Sequence, residues 1–122
     1  MINRYTLSNG IQVVIENMPY LRTAAFGLWV KTGSAYENVH NNGIAHVIEH
    51  MMFKGTGTHN ARELADMMTR IGGNLNAFTA KECTGYYVKT LDEHLDFAIE
   101  IISDMIKNSL FAPEDLAKEK RV

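Results

Sequence analysis

Gly43-Ile44-Ala45-His46-Val47-Ile48-Glu49-His50-Met51-Met52-Phe53 is the stretch that sets the character of this chain. Each residue of a helix turns by roughly 100°, so His46, Glu49 and His50 fall within about one hundred degrees of arc. Two imidazoles one turn apart can hold one metal ion from the same face. A carboxylate beside them can hold the water that such a metal activates. Ile44, Val47, Ile48, Met51 and Met52 clothe most of the remaining circumference. That predicts a buried helix, started by Asn41, Asn42 and Gly43 and running to Phe53 or Lys54. Two histidines and an acid on a buried helix need partners. The spacing suits a metal; it also suits two core histidines hydrogen-bonded to neighbouring strands.

Upstream of this helix the chain alternates as strands do. Tyr5-Thr6-Leu7, Asn9-Gly10 and Ile11 to Glu16 predict a β-hairpin closed by a type I′ turn. After a loop at Pro19, Thr23 to Lys31 is apolar enough to lie in the middle of a sheet, with Trp29 packed in the core. Thr32 to Asn42 is a polar loop, and its His40 is expected in solvent.

Downstream, Gly55-Thr56-Gly57-Thr58 is a turn. Asn60 to Ile71 predicts an amphipathic helix capped by Thr58 or Asn60, with Leu64, Met67, Met68 and Ile71 inward. Gly72-Gly73 ends it. Asn74 to Thr79 and Cys83 to Leu91 read as a second hairpin, with Cys83 a buried thiol. Asp92 to Phe111 predicts a long helix that buries Leu95, Phe97, Ala98, Ile101, Ile102, Met105 and Ile106 and leaves His94 exposed. Pro113-Glu114-Asp115 opens a last helix carrying Lys118, Glu119, Lys120, Arg121 and Val122. With no cap, Gly or Pro closing that helix, the chain reads as ending inside it. The expected architecture is α+β: a largely antiparallel sheet with helices packed on one face.

The totals narrow the classes of function. The 122 residues suffice for one domain, and 46% hydrophobic residues suffice for a core. A net charge of −2 with mixed signs gives no nucleic-acid footprint. No apolar run approaches the roughly 18 residues of a membrane helix. Residues 1–20 are broken by Asn3, Arg4, Asn9 and Glu16 and do not read as a signal peptide. The single Cys83 rules out an internal disulfide and fits a reducing compartment. The expectation is cytoplasmic, with the mitochondrial matrix as the alternative.

The order His-x-x-Glu-His inverts the commoner zinc-peptidase motif. Gly43-x-x-His46-x-x-Glu49-His50-x-x-Phe53-x-Gly55-Thr56 is followed by Gly72-Gly73-x-x-Asn76-Ala77-x-Thr79-x-x-Glu82-x-Thr84-x-Tyr86-Tyr87. Together they closely resemble the pitrilysin/insulinase family of zinc peptidases, and within it the bacterial relatives of the mitochondrial processing peptidase. Leu7-Ser8-Asn9-Gly10 and Val30-Lys31-Thr32-Gly33-Ser34 match as well, so the resemblance covers essentially the whole chain.

The resemblance implies that His46 and His50 are zinc ligands. It makes Glu49 the general base that takes a proton from the water the metal activates. Asn76, Ala77, Phe78 and Thr79 resemble the edge strand that pairs with an extended peptide substrate, held by backbone hydrogen bonds. Glu82 either orients the site or supports its strand. Glu119 corresponds to a supporting glutamate facing the site, with the third ligand about two turns further on, past Val122; Glu119 as the ligand itself is the lesser alternative. Residues 1–122 are then the N-terminal part of one peptidase lobe. In the family two similar lobes enclose a chamber, so this part alone is expected to bind zinc weakly, to cleave little, and to self-associate or pair with a second lobe or subunit. The expected function is a zinc metalloendopeptidase. The rival is a non-catalytic fragment or accessory subunit that keeps the fold and binds peptides or a partner. The intact Glu49 favours the enzyme.

Overall fold

The computed structural model describes residues 1–120; Arg121 and Val122, placed by the sequence on the last helix, lie outside the described residues. The elements run β1 (Ile2–Thr6), β2 (Gln12–Glu16), β3 (Thr23–Val30), α1 (Ile44–Met52), α2 (Ala61–Arg70), β4 (Asn74–Thr79), β5 (Thr84–Leu91), α3 (Leu95–Asn108) and α4 (Pro113–Glu119). The architecture is the expected α+β arrangement, and β4 begins and ends where its alternation does.

β5 organises the sheet. Its Thr84, Tyr86, Val88 and Thr90 are buried while Tyr87, Lys89 and Leu91 are exposed, the period of two that marks a strand covered on one face. It lies between β3 and β4 in an antiparallel sheet of order β3-β5-β4. The covering layer comes from the helices. Met52, Leu64, Met68, Ala98, Ile101, Ile102 and Met105 join Tyr86 and Val88 in one core, with Phe26, Leu75 and Ala77 packed against it. Fully burying an aliphatic side chain of this size contributes about 1.5–3 kcal/mol, so α2 and α3 are held by packing more than by their own helical propensity.

Several local expectations are corrected. β3 is at the edge of its sheet among the described residues, not in the middle, and Trp29 is 62% exposed rather than in the core. β3 is apolar on both faces, but the helices cover only the face of Ala24, Phe26 and Leu28. On the other face the Trp29 ring lies over Gly27, where any Cβ would collide with it. β1 and β2 pair only with each other among the described residues, so the strands form two sheets. Their turn is not type I′. Gly10 N–H donates to Leu7 C=O at 2.9 Å and Leu7 N–H to Ile11 C=O at 2.8 Å, and only Gly10 has positive φ, at 91°. That is a type I turn followed by a left-handed glycine, the geometry of a loop one residue longer.

The helices also differ in detail. α1 is not buried all round: Ala45, Met51 and Met52 are, whereas Ile44 and His46 are exposed. The helix lies on the flank of the core, and one of its faces is open. Residues 92–111 are not one helix. Asp92–His94 form a 3₁₀ turn, and α3 stops at Asn108 because Ser109 turns extended to bridge Thr56. Leu110 N–H then donates to Gly55 C=O at 3.1 Å. His94 and Cys83 are half-buried rather than exposed and buried respectively. α2 is capped by Asn60, with Glu63 closing the reciprocal capping box.

Candidate metal centre

The open face of α1 carries the histidines. His46 and His50 stand edge to face with ring centroids 4.3 Å apart and planes at 70°. His46 is exposed and His50 half-buried. Helical spacing brings the two rings side by side, as i,i+4 neighbours lie on one face.

His50 is fixed from behind. Its Nδ1 lies 2.7 Å from Glu119 Oε2; a carboxylate only accepts, so Nδ1–H is the donor, and in the neutral ring the Nε2 lone pair lies on the far side. Lys54 Nζ lies 3.3 Å from the other oxygen of Glu119. The hydrogen bond from His50 and then the Lys54 ammonium hold the Glu119 carboxyl below the usual carboxylate range. Both oxygens of Glu119 are therefore engaged, and it sits behind His50 as an orienting group. A carboxylate bonded to the second nitrogen of a histidine is the usual support of a metal-binding imidazole.

Glu49 points toward the sheet. Thr79 Oγ1 donates a hydrogen bond to Glu49 Oε2, which ties α1 to the last residue of β4. The Tyr86 side chain is next to this carboxylate. Burial first, and the Glu49 charge second, push its phenol up to about 12, so it stays protonated.

β4 presents a free edge. Ala77 N–H bonds Asn76 Oδ1 at 2.9 Å instead of a carbonyl of β5. Antiparallel pairs alternate between bonded and non-bonded positions, so the backbone groups of Leu75, Ala77 and Thr79 face away from β5. Among the described residues no strand lies on that side. Asn76 and Phe78 are exposed on the outer face of the sheet, while Ala77 and Thr79 turn toward the helices. The structure thus brings His46, Glu49, His50, Thr79 and Glu119 together at one end of β4. Glu82 and His40 are exposed and take no part in these contacts.

Two neutral imidazole nitrogens at this spacing fit a borderline-soft divalent ion such as zinc. Among the described residues no cluster of three or more His, Cys, Asp or Glu is placed to hold one, so the donor set here is two. Three residues of the surroundings had no role in the sequence reading. Lys54 follows His50 by one helical turn, a signal present in the sequence. Tyr86 alternates inward on β5. Glu37 binds the start of α1 from the loop that leads into it, with its carboxylate on Gly43 N–H at 2.6 Å and Ala45 N–H at 2.9 Å. The only trace of it in the sequence is that Gly43, the N-cap, has no side chain with which to cap.

The chain is similar to known proteins along nearly its whole length. The insulinase family, peptidase family M16, matches residues 12–122. A Bacillus subtilis protein named as an uncharacterized zinc protease is 52% identical over the full chain, which spans 30% of that protein. A probable mitochondrial-processing peptidase subunit beta of Arabidopsis thaliana is 40% identical over 96% of the chain, which spans 22% of it. The crystal structure of a protease from Helicobacter pylori superposes with a TM-score of 0.92 at 30% identity, covering 99% of this chain and 29% of that one. The chain therefore spans less than a third of each of these relatives.

Proposed function

Because the chain belongs to the insulinase family of peptidases, family M16, we propose that it forms the zinc-binding half-site and substrate edge of a metalloendopeptidase. The observation that carries this reading is the junction at the end of β4. There the His46–His50 pair, the Glu49 carboxylate and a free strand edge meet within one set of contacts. In this reading His46 and His50 hold zinc, with His50 donating through Nε2 because Nδ1 is committed to Glu119. A third donor comes from outside the described residues. Zinc, when bound, supplies Lewis-acid polarisation of the scissile carbonyl and acidifies water.

The chain's own residues do the rest. An extended peptide adds to the edge of β4 through backbone bonds at Leu75, Ala77 and Thr79, which sets its direction past Glu49. Asn76 must release the Ala77 amide for that pairing. Glu49 takes a proton from the attacking water; the water oxygen bonds the carbonyl carbon, the peptide C–N bond breaks, and Glu49 passes the proton to the leaving amine. Thr79 holds one oxygen of Glu49 and so aims the other. A second lobe or subunit completes the chamber.

The two-donor set favours one rival, a non-catalytic piece that binds peptides or a partner. Peptide cleavage by the complete gene product separates the two. The enzyme reading expects Glu49→Gln to lower turnover by about 10²–10⁴-fold with zinc content unchanged. Peptide binding without cleavage in zinc-loaded wild-type protein supports the rival.

A further inference from the structure

We infer that Glu37 is a positioning residue that sets the register between the substrate strand and the histidine helix. α1 starts without a local cap: Gly43 is left-handed at φ 86°, makes no side-chain cap bond, and no acid lies in the first turn. The Glu37 carboxylate fills that role from six residues upstream. One oxygen takes Gly43 N–H and the other takes Ala45 N–H, which directly precedes His46.

The segment that carries Glu37 is itself fastened to the turn directly after β4, beside Thr79. Ser34 N–H donates to Ala80 C=O at 3.3 Å and Ala35 N–H to Lys81 C=O at 2.9 Å. Gly33 is buried against those same two carbonyls, where a Cβ would not fit. Residues 33–37 therefore form a strap. It runs from the turn after β4 to the first amides of α1, alongside the direct link from Thr79 to Glu49. Two tethers at different points fix a helix against a strand in rotation as well as in distance, which one cannot. Loss of the strap leaves β4 paired with β5 and frees α1 to pivot about Glu49, displacing His46 first.

What α1 is positioned for rests on the proposed function; the strap itself does not. The test compares wild type, Glu37→Gln and Glu37→Ala in the complete gene product. Gln keeps the reach and one acceptor, Ala neither. In metal-free protein, amide hydrogen exchange at Gly43 and Ala45 should accelerate in the order wild type, Gln, Ala. In zinc-loaded protein, zinc affinity and kcat should fall in the same order, by about 10- to 100-fold for Ala, with KM within about threefold. Variants that melt earlier but keep wild-type zinc affinity and kcat would reduce Glu37 to a helix cap and overturn the inference. Unchanged exchange at Gly43 and Ala45 would overturn the strap itself. A wild-type protein that binds no zinc and cleaves nothing overturns the proposed function, and the exchange arm still decides the strap.

Discussion

Glu119 illustrates how one residue's role follows from what its atoms already hold. Its Oε2 accepts a hydrogen bond from His50 Nδ1 and its Oε1 faces the Lys54 ammonium, so the carboxylate supports the ring from its Nδ1 side. Glu119→Gln keeps the shape but can offer His50 an amide donor in place of an acceptor, and Lys54→Met removes the charge that holds the group in place. Either change should weaken zinc binding by about 10- to 100-fold, as read by competition with a chromophoric chelator. The His-x-x-Glu-His spacing was enough to place His46, Glu49 and His50 on one face. The support behind them was not legible from spacing, because Glu119 reaches His50 across 69 positions of sequence. Glu37 was illegible for a related reason: local rules look for a cap at the N-cap residue, and here it comes from a loop.

At the scale of elements, the loop that follows α1 is pinned to α3 through one carboxylate. Asp104 Oδ2 accepts from Thr56 Oγ1 at 2.6 Å and from Thr58 Oγ1 at 3.2 Å, while Oδ1 accepts from Asn108 at 2.8 Å. Those bonds, that from Thr56 first, lower its pKa. A depressed carboxyl contributes stability above its unfolded value of about 3.9 and loses it as pH falls through the folded value. Acid should therefore loosen residues 55–60 below about pH 4, seen as faster exchange of their amides, and Asp104→Asn should abolish that pH dependence. Asn60→Ala removes the cap of α2 and should cost about 1 kcal/mol in denaturant unfolding. Elements whose two faces differ were legible: β4 took its expected bounds, β5 and α2 came within one residue of theirs, and Leu64 and Met68 of α2 turned inward as expected. β3 was not, since an apolar run cannot say which of its faces will be covered. The end of α3 was set by pairing of residues 109–110 with the loop at 55–56, a contact between distant segments.

For the molecule as a whole, the uncovered face of the sheet carries Trp29, Phe78, Tyr87 and Leu91, all substantially exposed. Phe78 and Tyr87 rings lie 6.4 Å apart, and the Phe78 ring covers Gly85 as Trp29 covers Gly27. A contiguous apolar face of this kind drives association, so residues 1–122 alone should sediment as more than a monomer, and Trp29→Arg should shift them toward monomer. The core beneath is a separate matter: Ile102→Ala, at a site 2% exposed, should cost about 2–5 kcal/mol. The central claim concerns the opposite side, where α1 offers two imidazoles to one ion. Zinc titration by calorimetry of the complete gene product tests it most directly. One zinc per chain in the wild type, lost on His46→Ala and on His50→Ala alike, is the predicted result; binding that survives either substitution undiminished would contradict it.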